Sequence, residues 1–551
     1  MTESDLAVVH LTPGRWGDPD HPVELPAAAV DALKHLGVRR PAADPVDPAA
    51  AAGAGAAGGV DAPGVSAVDV RAGDRLGVTP DQLAFLTGVV GAEHVASDLE
   101  SRWAHTRGYS TTDLLRHRAG DTSDMPDAVV YPGTHDEVLA LLAGCAEVDL
   151  AVVPYSGGTS VVGGLAPSRR FVTADVRRLD QLVALDEISR TATLQAGVRG
   201  PAAEALLAER GYTLGHFPQS YEGASIGGYA AARSSGQSSA GYGRFDQMVV
   251  GLTLATPRGT IELGRAPMSA AGPDLRQLIL GSEGAFGIIT SVVVRIRPRP
   301  TERHFEGWRF DTFADGLTAI RRLAQDGPLP TVLRLSDEAE TAVNLADPDV
   351  FGGGTGGVLA IIGFDGPYNE ATATVLADAG GQNLGEGPGE TWRVGRYRAP
   401  YLRDPLLDEG ALVETLETAG FWSRIPALKA AVTEALVQSL TEQGTPPLVL
   451  CHVSHVYETG ASLYFTVISA QTDDPVKQWR TTKAVASRAI ATAGGTISHH
   501  HGVGTDHREA YADEIGPVAV EALQAVKHVL DPDGVLSPGV LLPTDLQHSP
   551  T

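Results

Sequence analysis

Cysteine is almost missing from this chain: Cys145 and Cys451 are the two among 551 residues. They lie far apart and lack the short spacing of zinc ligands, which excludes a disulfide framework and a cysteine-based metal centre. Cys145 falls in a helical pattern and Cys451 in a strand-like run, so both read as small buried hydrophobes. Basic residues are also in short supply. Lys and Arg number 42 against 67 Asp and Glu, a formal charge of -25, which argues against nucleic-acid binding and requires a local positive pocket for any anionic ligand. No run of about 18 apolar residues occurs, so no membrane-spanning helix is predicted. The start, MTESDLAVVHL, has neither a basic n-region nor a long apolar core, and the end, LQHSPT, is not a Ser-Lys-Leu peroxisomal address. The expectation is a cytoplasmic protein, with peripheral membrane contact left open.

What is present is length, glycine and periodicity. A chain this long exceeds what one core organises, so two or more domains are expected. Residues 41–68 carry mostly Ala, Gly and Pro and read as a loop-like insertion in an N-terminal region, 1–100. From about 135 helical and strand patterns alternate: HDEVLALLAGCAEV is helical, and LAVVP, FVTADV and TATLQAGV are short strands. This first α+β unit, 101–300, ends near Pro298 and Pro300. A second, 301–505, contains the paired strands LVLCHVSHVY and ASLYFTVISA and the helix DPVKQWRTTKAVASRAIATAGG. A C-terminal segment, 506–551, completes the chain.

Three consecutive histidines, His499, His500 and His501, stand in GGTISHHHGVGTDH near the end of the second unit. Imidazole titrates closest to neutrality, so the tract suits proton transfer, metal binding or anion binding. In an extended segment His499 and His501 would share one face, with His500 opposite. Glycines 494, 495, 502 and 504 around the tract permit close approach by a ligand.

After the LAVVP strand comes Pro154-Tyr155-Ser156-Gly157-Gly158-Thr159-Ser160. Small residues after a strand let successive backbone N–H groups converge on an anion such as a pyrophosphate. The run is neither a Walker A loop nor a GxGxxG turn. Glycine alone is a weak signal in a chain with 64 of them, and FGGGTGG at 351–357 is read as an ordinary loop.

Two further segments sharpen the signal: Gln219-Ser220-Tyr221-Glu222-Gly223-Ala224-Ser225-Ile226-Gly227-Gly228 and Gly281-Ser282-Glu283-Gly284-Ala285-Phe286-Gly287-Ile288-Ile289-Thr290. With PYSGGTS, and in this order, they resemble the FAD-binding domain of vanillyl-alcohol-oxidase type flavoproteins. Adding RWGDPDHPVELP, TVLRLSDE, PYLRD, SHVYETGASLYFT and GGTISHHHGVG, the chain most resembles the alkyldihydroxyacetonephosphate synthase family. The implied architecture is α+β: a two-subdomain FAD-binding domain over 101–300, an α+β substrate (cap) domain over 301–505, and a C-terminal helical segment that returns to the FAD domain.

The resemblance also implies chemistry. FAD would be held by Pro154, Ser156, Gly157, Gly158, Thr159, Ser160, Gln219, Ser220, Ala224, Ser225, Gly228, Arg233, Ser235, Gly281, Glu283, Gly284, Gly287 and Ile289. No histidine stands at Thr159-Ser160, so the flavin would be non-covalent. The family exchanges the acyl group of acyl-dihydroxyacetone phosphate for a fatty alcohol through a flavin adduct. Tyr464 would match the catalytic acid/base, acting with His499, His500 and His501. A tyrosine can serve as base only if its pKa is lowered, a task the adjacent histidines could perform. Arg403 would match the substrate-phosphate arginine, and Arg334 a second important arginine; guanidinium suits bidentate phosphate recognition. No metal is expected, and the implied partners are a lipid-phosphate substrate and a second copy of the chain in a homodimer. The competing reading is an FAD-dependent 2-hydroxy-acid dehydrogenase or oxidase. Enzymes similar to that group commonly carry Glu-His-Gly where this chain has His500-His501-Gly502, which favours the synthase.

Overall fold

The structure is a computed structural model; it describes residues 7–17, 23–25, 27–40, 77–344 and 356–543. The insertion at 41–68 and most of the glycine run at 351–357 lie outside the described residues.

Helix His135–Cys145 shows why the first unit forms. Val138, Leu141, Leu142 and Cys145 recur at helical spacing and all are buried, so one stripe of the helix must face a core. That core is shared by two sheets. In the first, Val95–Ala96, Val129–Val130, Phe171–Asp175 and Ala151–Tyr155 are adjacent in that order, the last three strands running parallel. The second is antiparallel, ordered Leu182–Asp186, Thr191–Gln195, Ile288–Arg295, Val249–Thr256 and Gly259–Leu263. Thr191–Gln195 alternates buried and half-buried residues, as a strand with one face on a core must. Chain ends return to this core too: Val503, Val535, Leu536, Leu541 and Leu542 belong to it, with Tyr511, Leu523 and Val526 packed against it.

The second unit is a seven-stranded sheet with its own core. Its order is Gln382–Asn383, Arg303–Phe310, Val358–Asp365, Val332–Ser336, Leu448–Val456, Gly460–Ala470 and Ala411–Phe421, antiparallel throughout. Helices Phe313–Asp326, Ile425–Glu442 and Pro475–Ala493 contribute Ile320, Val432, Leu436, Trp479 and Ile490 to that core. Helix Pro475–Ala493 starts where the Asp474 side chain accepts from Lys477 N with Pro475 in the first turn. It stops at Gly494, whose φ of 78° is left-handed, a conformation glycine adopts without strain. The stop delivers the chain directly into the histidine tract. Among the described residues no helix is long and apolar enough to cross a membrane.

Candidate active site

Register across three cap strands sets the first part of the site. Glu417 pairs with Tyr464, and Tyr464 pairs on its other side with His452, so the three share one face of the sheet. All are buried, at 2%, 8% and 3% exposure. Tyr464 and His452 stack with ring centroids 5.0 Å apart. The Tyr464 hydroxyl donates to Oε1 of Gln219 at 3.3 Å, linking the cap sheet to one of the glycine-rich loops.

The histidine tract crosses over Glu417. Backbone N–H groups of His499, His500 and His501 all donate to its carboxylate, at 2.7, 3.1 and 3.0 Å, and Ser498 Oγ donates at 2.8 Å. Three successive N–H groups cannot converge on one carboxylate from a strand, whose groups alternate in direction. The tract is therefore a turn, and the expected pairing of His499 with His501 on one face does not occur. His500 and His501 line the central cavity. His499, 6% exposed, turns inward, its Nε2 2.6 Å from the Tyr457 hydroxyl and its Nδ1 3.0 Å from Nδ1 of His500. A second carboxylate anchors the far side: Glu283 accepts from Val503 N at 2.9 Å and Gly504 N at 3.0 Å.

Electrostatics here are governed by burial. It holds the pKa values of His499, His500 and His501 below the ordinary histidine value, His501 at about 3, so the tract is neutral imidazole near pH 7. Burial also raises Tyr464 above its usual 10, against the downward pull of Thr415 and Arg403. The expectation that the histidines would lower Tyr464 is thus reversed: they carry no charge to do so, and Tyr464 is a protonated phenol. For Glu417 burial favours the acid, but the backbone N–H groups that the tract directs at it overcome burial and keep the carboxylate ionised. Burial lifts the Glu283 carboxyl to about 7, with the Gly504 and Val503 N–H groups opposing.

The cavity measures about 920 Å³ and connects the two units. Loop residues 154–160, 218–220, 224–225, 227–228, 282–284 and 287–289 supply much of one wall. All the residues expected to hold FAD line it except Arg233 and Gly281. The Arg233 guanidinium is instead engaged by Asp246 and Gln277, and a Cβ on Gly281 would meet the Arg233 side chain at 2.7 Å, so that glycine packs behind the wall. Two observations fit a dinucleotide in this space. Ser156 Oγ is buried at the cavity without a hydrogen-bond partner, a donor requiring an oxygen. A Cβ on Gly228 would touch nothing closer than Ser225 Oγ at 3.4 Å, so a side chain there would occupy the cavity instead of protein.

Both expected arginines line the same cavity. Arg403 donates to the Tyr109 carbonyl at 3.0 Å and to Thr415 Oγ1 at 3.4 Å, and lies 3.4 Å from Glu414. Arg334 donates to Glu340 at 2.9 Å and is 3.0 Å from His452 Nδ1. Each guanidinium has a carboxylate beside it. The same cavity is also lined by apolar side chains: Leu33 and Leu36, from and just after helix Ala27–His35, together with Leu402, Leu406, Leu450 and Ile468. Sequence reasoning missed this helical wall, as well as Glu417 and His452; it takes SHVYETG for a strand and turn and so leaves the nearby candidates His455 and Tyr457 out of the catalytic set. A buried glutamate inside the strand ALVETLETAGF was the available signal for Glu417. One nitrogen each of His455, His499 and His500 falls within 4.8 Å of the others, while the 3.0 Å contact already commits the facing nitrogens of His499 and His500 to each other.

Residues 126–264 match the family described as FAD binding domain, and 299–541 that described as FAD linked oxidases, C-terminal domain. Over 482 residues the chain is 32% identical to alkyldihydroxyacetonephosphate synthase of Dictyostelium discoideum, covering 82% of this chain and 79% of that one. The chain belongs to the alkyldihydroxyacetonephosphate synthase family. A solved alkyldihydroxyacetonephosphate synthase structure superposes with a TM-score of 0.72 at 30% identity, covering 84% of this chain and 86% of its own. Mitochondrial D-lactate dehydrogenase [cytochrome] of Arabidopsis thaliana is more distant, at 25% identity over 84% of this chain and 80% of its own. Membership makes this protein an FAD-binding enzyme with the family's α+β architecture, a flavin domain followed by a C-terminal domain.

Proposed function

We propose that the enzyme exchanges the acyl group of acyl-dihydroxyacetone phosphate for a fatty alcohol, forming the ether bond of an ether lipid. One observation carries this reading: a single cavity joins the flavin-binding loops, two arginines, a tyrosine–histidine cluster and a long apolar wall. A phosphate ester of a small ketone bearing a fatty chain needs all of these at once. A short hydroxy acid has no use for the apolar wall.

Arg403 and Arg334 bind the phosphate, their fixed geometry suiting bidentate recognition. Leu33, Leu36, Leu406 and Ile468 hold the chain, and exposed Leu402 and Val343 at the cavity admit lipid from a membrane surface. FAD held against Ser156, Gly157, Gly158, Gly227 and Gly228 would supply an electrophilic ring to the exchange. The neutral imidazoles at His500 and His501 take the proton from the substrate carbon, and the Tyr464 phenol donates to the oxygen beside it; both tasks match the protonation states burial enforces.

The test is direct. Holoenzyme given acyl-dihydroxyacetone phosphate and a labelled long-chain alcohol should release fatty acid and place the label in an alkyl product without net flavin reduction. Absence of alkyl product, together with bleaching of the flavin by D-lactate or D-2-hydroxyglutarate, would replace this reading with that of a dehydrogenase.

A further inference from the structure

The proposed exchange removes a proton from a substrate carbon inside a cavity that is largely apolar, and later returns one. His500 lines that cavity. Its Nδ1 is 3.0 Å from Nδ1 of His499, and the other nitrogen of His499, Nε2, is 2.6 Å from the Tyr457 hydroxyl. Tyr457 is half-buried and is followed in the chain by exposed Glu458 and Thr459. We propose that His500, His499 and Tyr457 form a proton relay between the substrate cavity and solvent.

Imidazole is the side chain that accepts a proton at one ring atom while releasing one from another. A proton arriving at the cavity-side nitrogen of His500 lets Nδ1–H pass its proton to Nδ1 of His499. His499 then releases the proton on Nε2 to the Tyr457 oxygen, and the phenol gives its own proton to water. One N–H or O–H bond forms for each that breaks, no electrons change hands, and the reverse sequence returns the proton. Glu417 supports the transit: it receives the backbone N–H groups of the tract and lies 3.5 Å from His500 Nδ1, so positive charge in passage is offset where water is excluded. His455 is the wall of this path. It stacks on His499 at 5.1 Å, and its Nδ1 sits 2.7 Å from Ser239 Oγ and 3.1 Å from Ser235 Oγ.

The relay rests on the proposed exchange, and its test separates the two. Tyr457→Phe keeps the ring and removes the terminal hydroxyl. Measured as holoenzyme, it should retain wild-type FAD content and flavin spectrum and lose one to two orders of magnitude in kcat in dilute buffer. Added imidazole buffer, a diffusible proton carrier, should restore that rate while leaving the wild-type rate unchanged. Wild-type kcat for Tyr457→Phe in dilute buffer would overturn the relay, as would a loss that imidazole does not repair. If the wild-type enzyme forms no ether product but oxidises a 2-hydroxy acid, the exchange reading fails; the same buffer comparison on flavin reduction, which also releases a substrate proton, then decides the relay.

Discussion

At the scale of single residues, environment decides role. Tyr464 and His500 ordinarily titrate several units apart, and burial widens that gap by raising the phenol and lowering the imidazole. The phenol is therefore the donor and the imidazole the acceptor. Replacing Tyr464 with Phe should cut turnover by roughly 10²- to 10⁴-fold while purified protein stays yellow with a full complement of FAD. Turnover near wild type would remove the phenol from the chemistry. Gly228 carries a prediction of another kind. Since a side chain there meets cavity and not protein, Gly228→Leu should fold with an unchanged thermal midpoint in the FAD-free state and purify without bound flavin. A yellow Gly228→Leu protein would place the cofactor elsewhere.

At the scale of elements, the histidine loop is held at two ends by acids from different units. Glu417 reaches it from the cap strand Ala411–Phe421 and Glu283 from the flavin-domain loop. The loop thereby closes one interface between the units and presents two of its imidazoles to the cavity. Glu417→Ala would leave three backbone N–H groups without their acceptor, each worth about 1–3 kcal/mol when buried. Calorimetry should show a midpoint lowered by several degrees, with turnover lost alongside. A variant as stable and as active as wild type would show that water replaces the carboxylate.

Across the whole molecule, buried histidines impose a pH dependence on stability. His117 and His507 are held at about 4, and His216 and His501 at about 3, by burial. The unfolded chain protonates such groups near 6.5, so below that pH it binds protons the folded state refuses. Stability present above pH 6.5 is accordingly lost as pH falls toward 4, at up to about 1.4 kcal/mol per pH unit for each histidine. Glu283, raised to about 7, and Asp113, raised to about 6, work the other way: folding takes up their protons between about pH 4 and 7, which adds stability toward acid. Four histidines against two carboxyls leave a net loss. Urea unfolding should show a clearly lower midpoint at pH 5 than at pH 7.5; equal midpoints would mean that water reaches these imidazoles.

Local pattern was enough for much of this protein. Helix His135–Cys145, the strand pair carrying Cys451 and Tyr464, and the glycine loops that line the cavity are each set by periodicity or by small residues after a strand, properties of neighbours in the chain. Non-local geometry decided the rest. The histidine tract follows no strand alternation because Glu417, more than 80 residues earlier in the chain, gathers its N–H groups, and no local rule announces so distant an acceptor. Arg233 left the cavity for Asp246, and the protonation states of Tyr464 and the histidines depend on how much water packing removes. Sequence by itself determined which elements form and what chemical groups they carry. Tertiary structure decided which of those groups face the cavity and in what charge state, because desolvation and convergent hydrogen bonds exist only after distant segments meet.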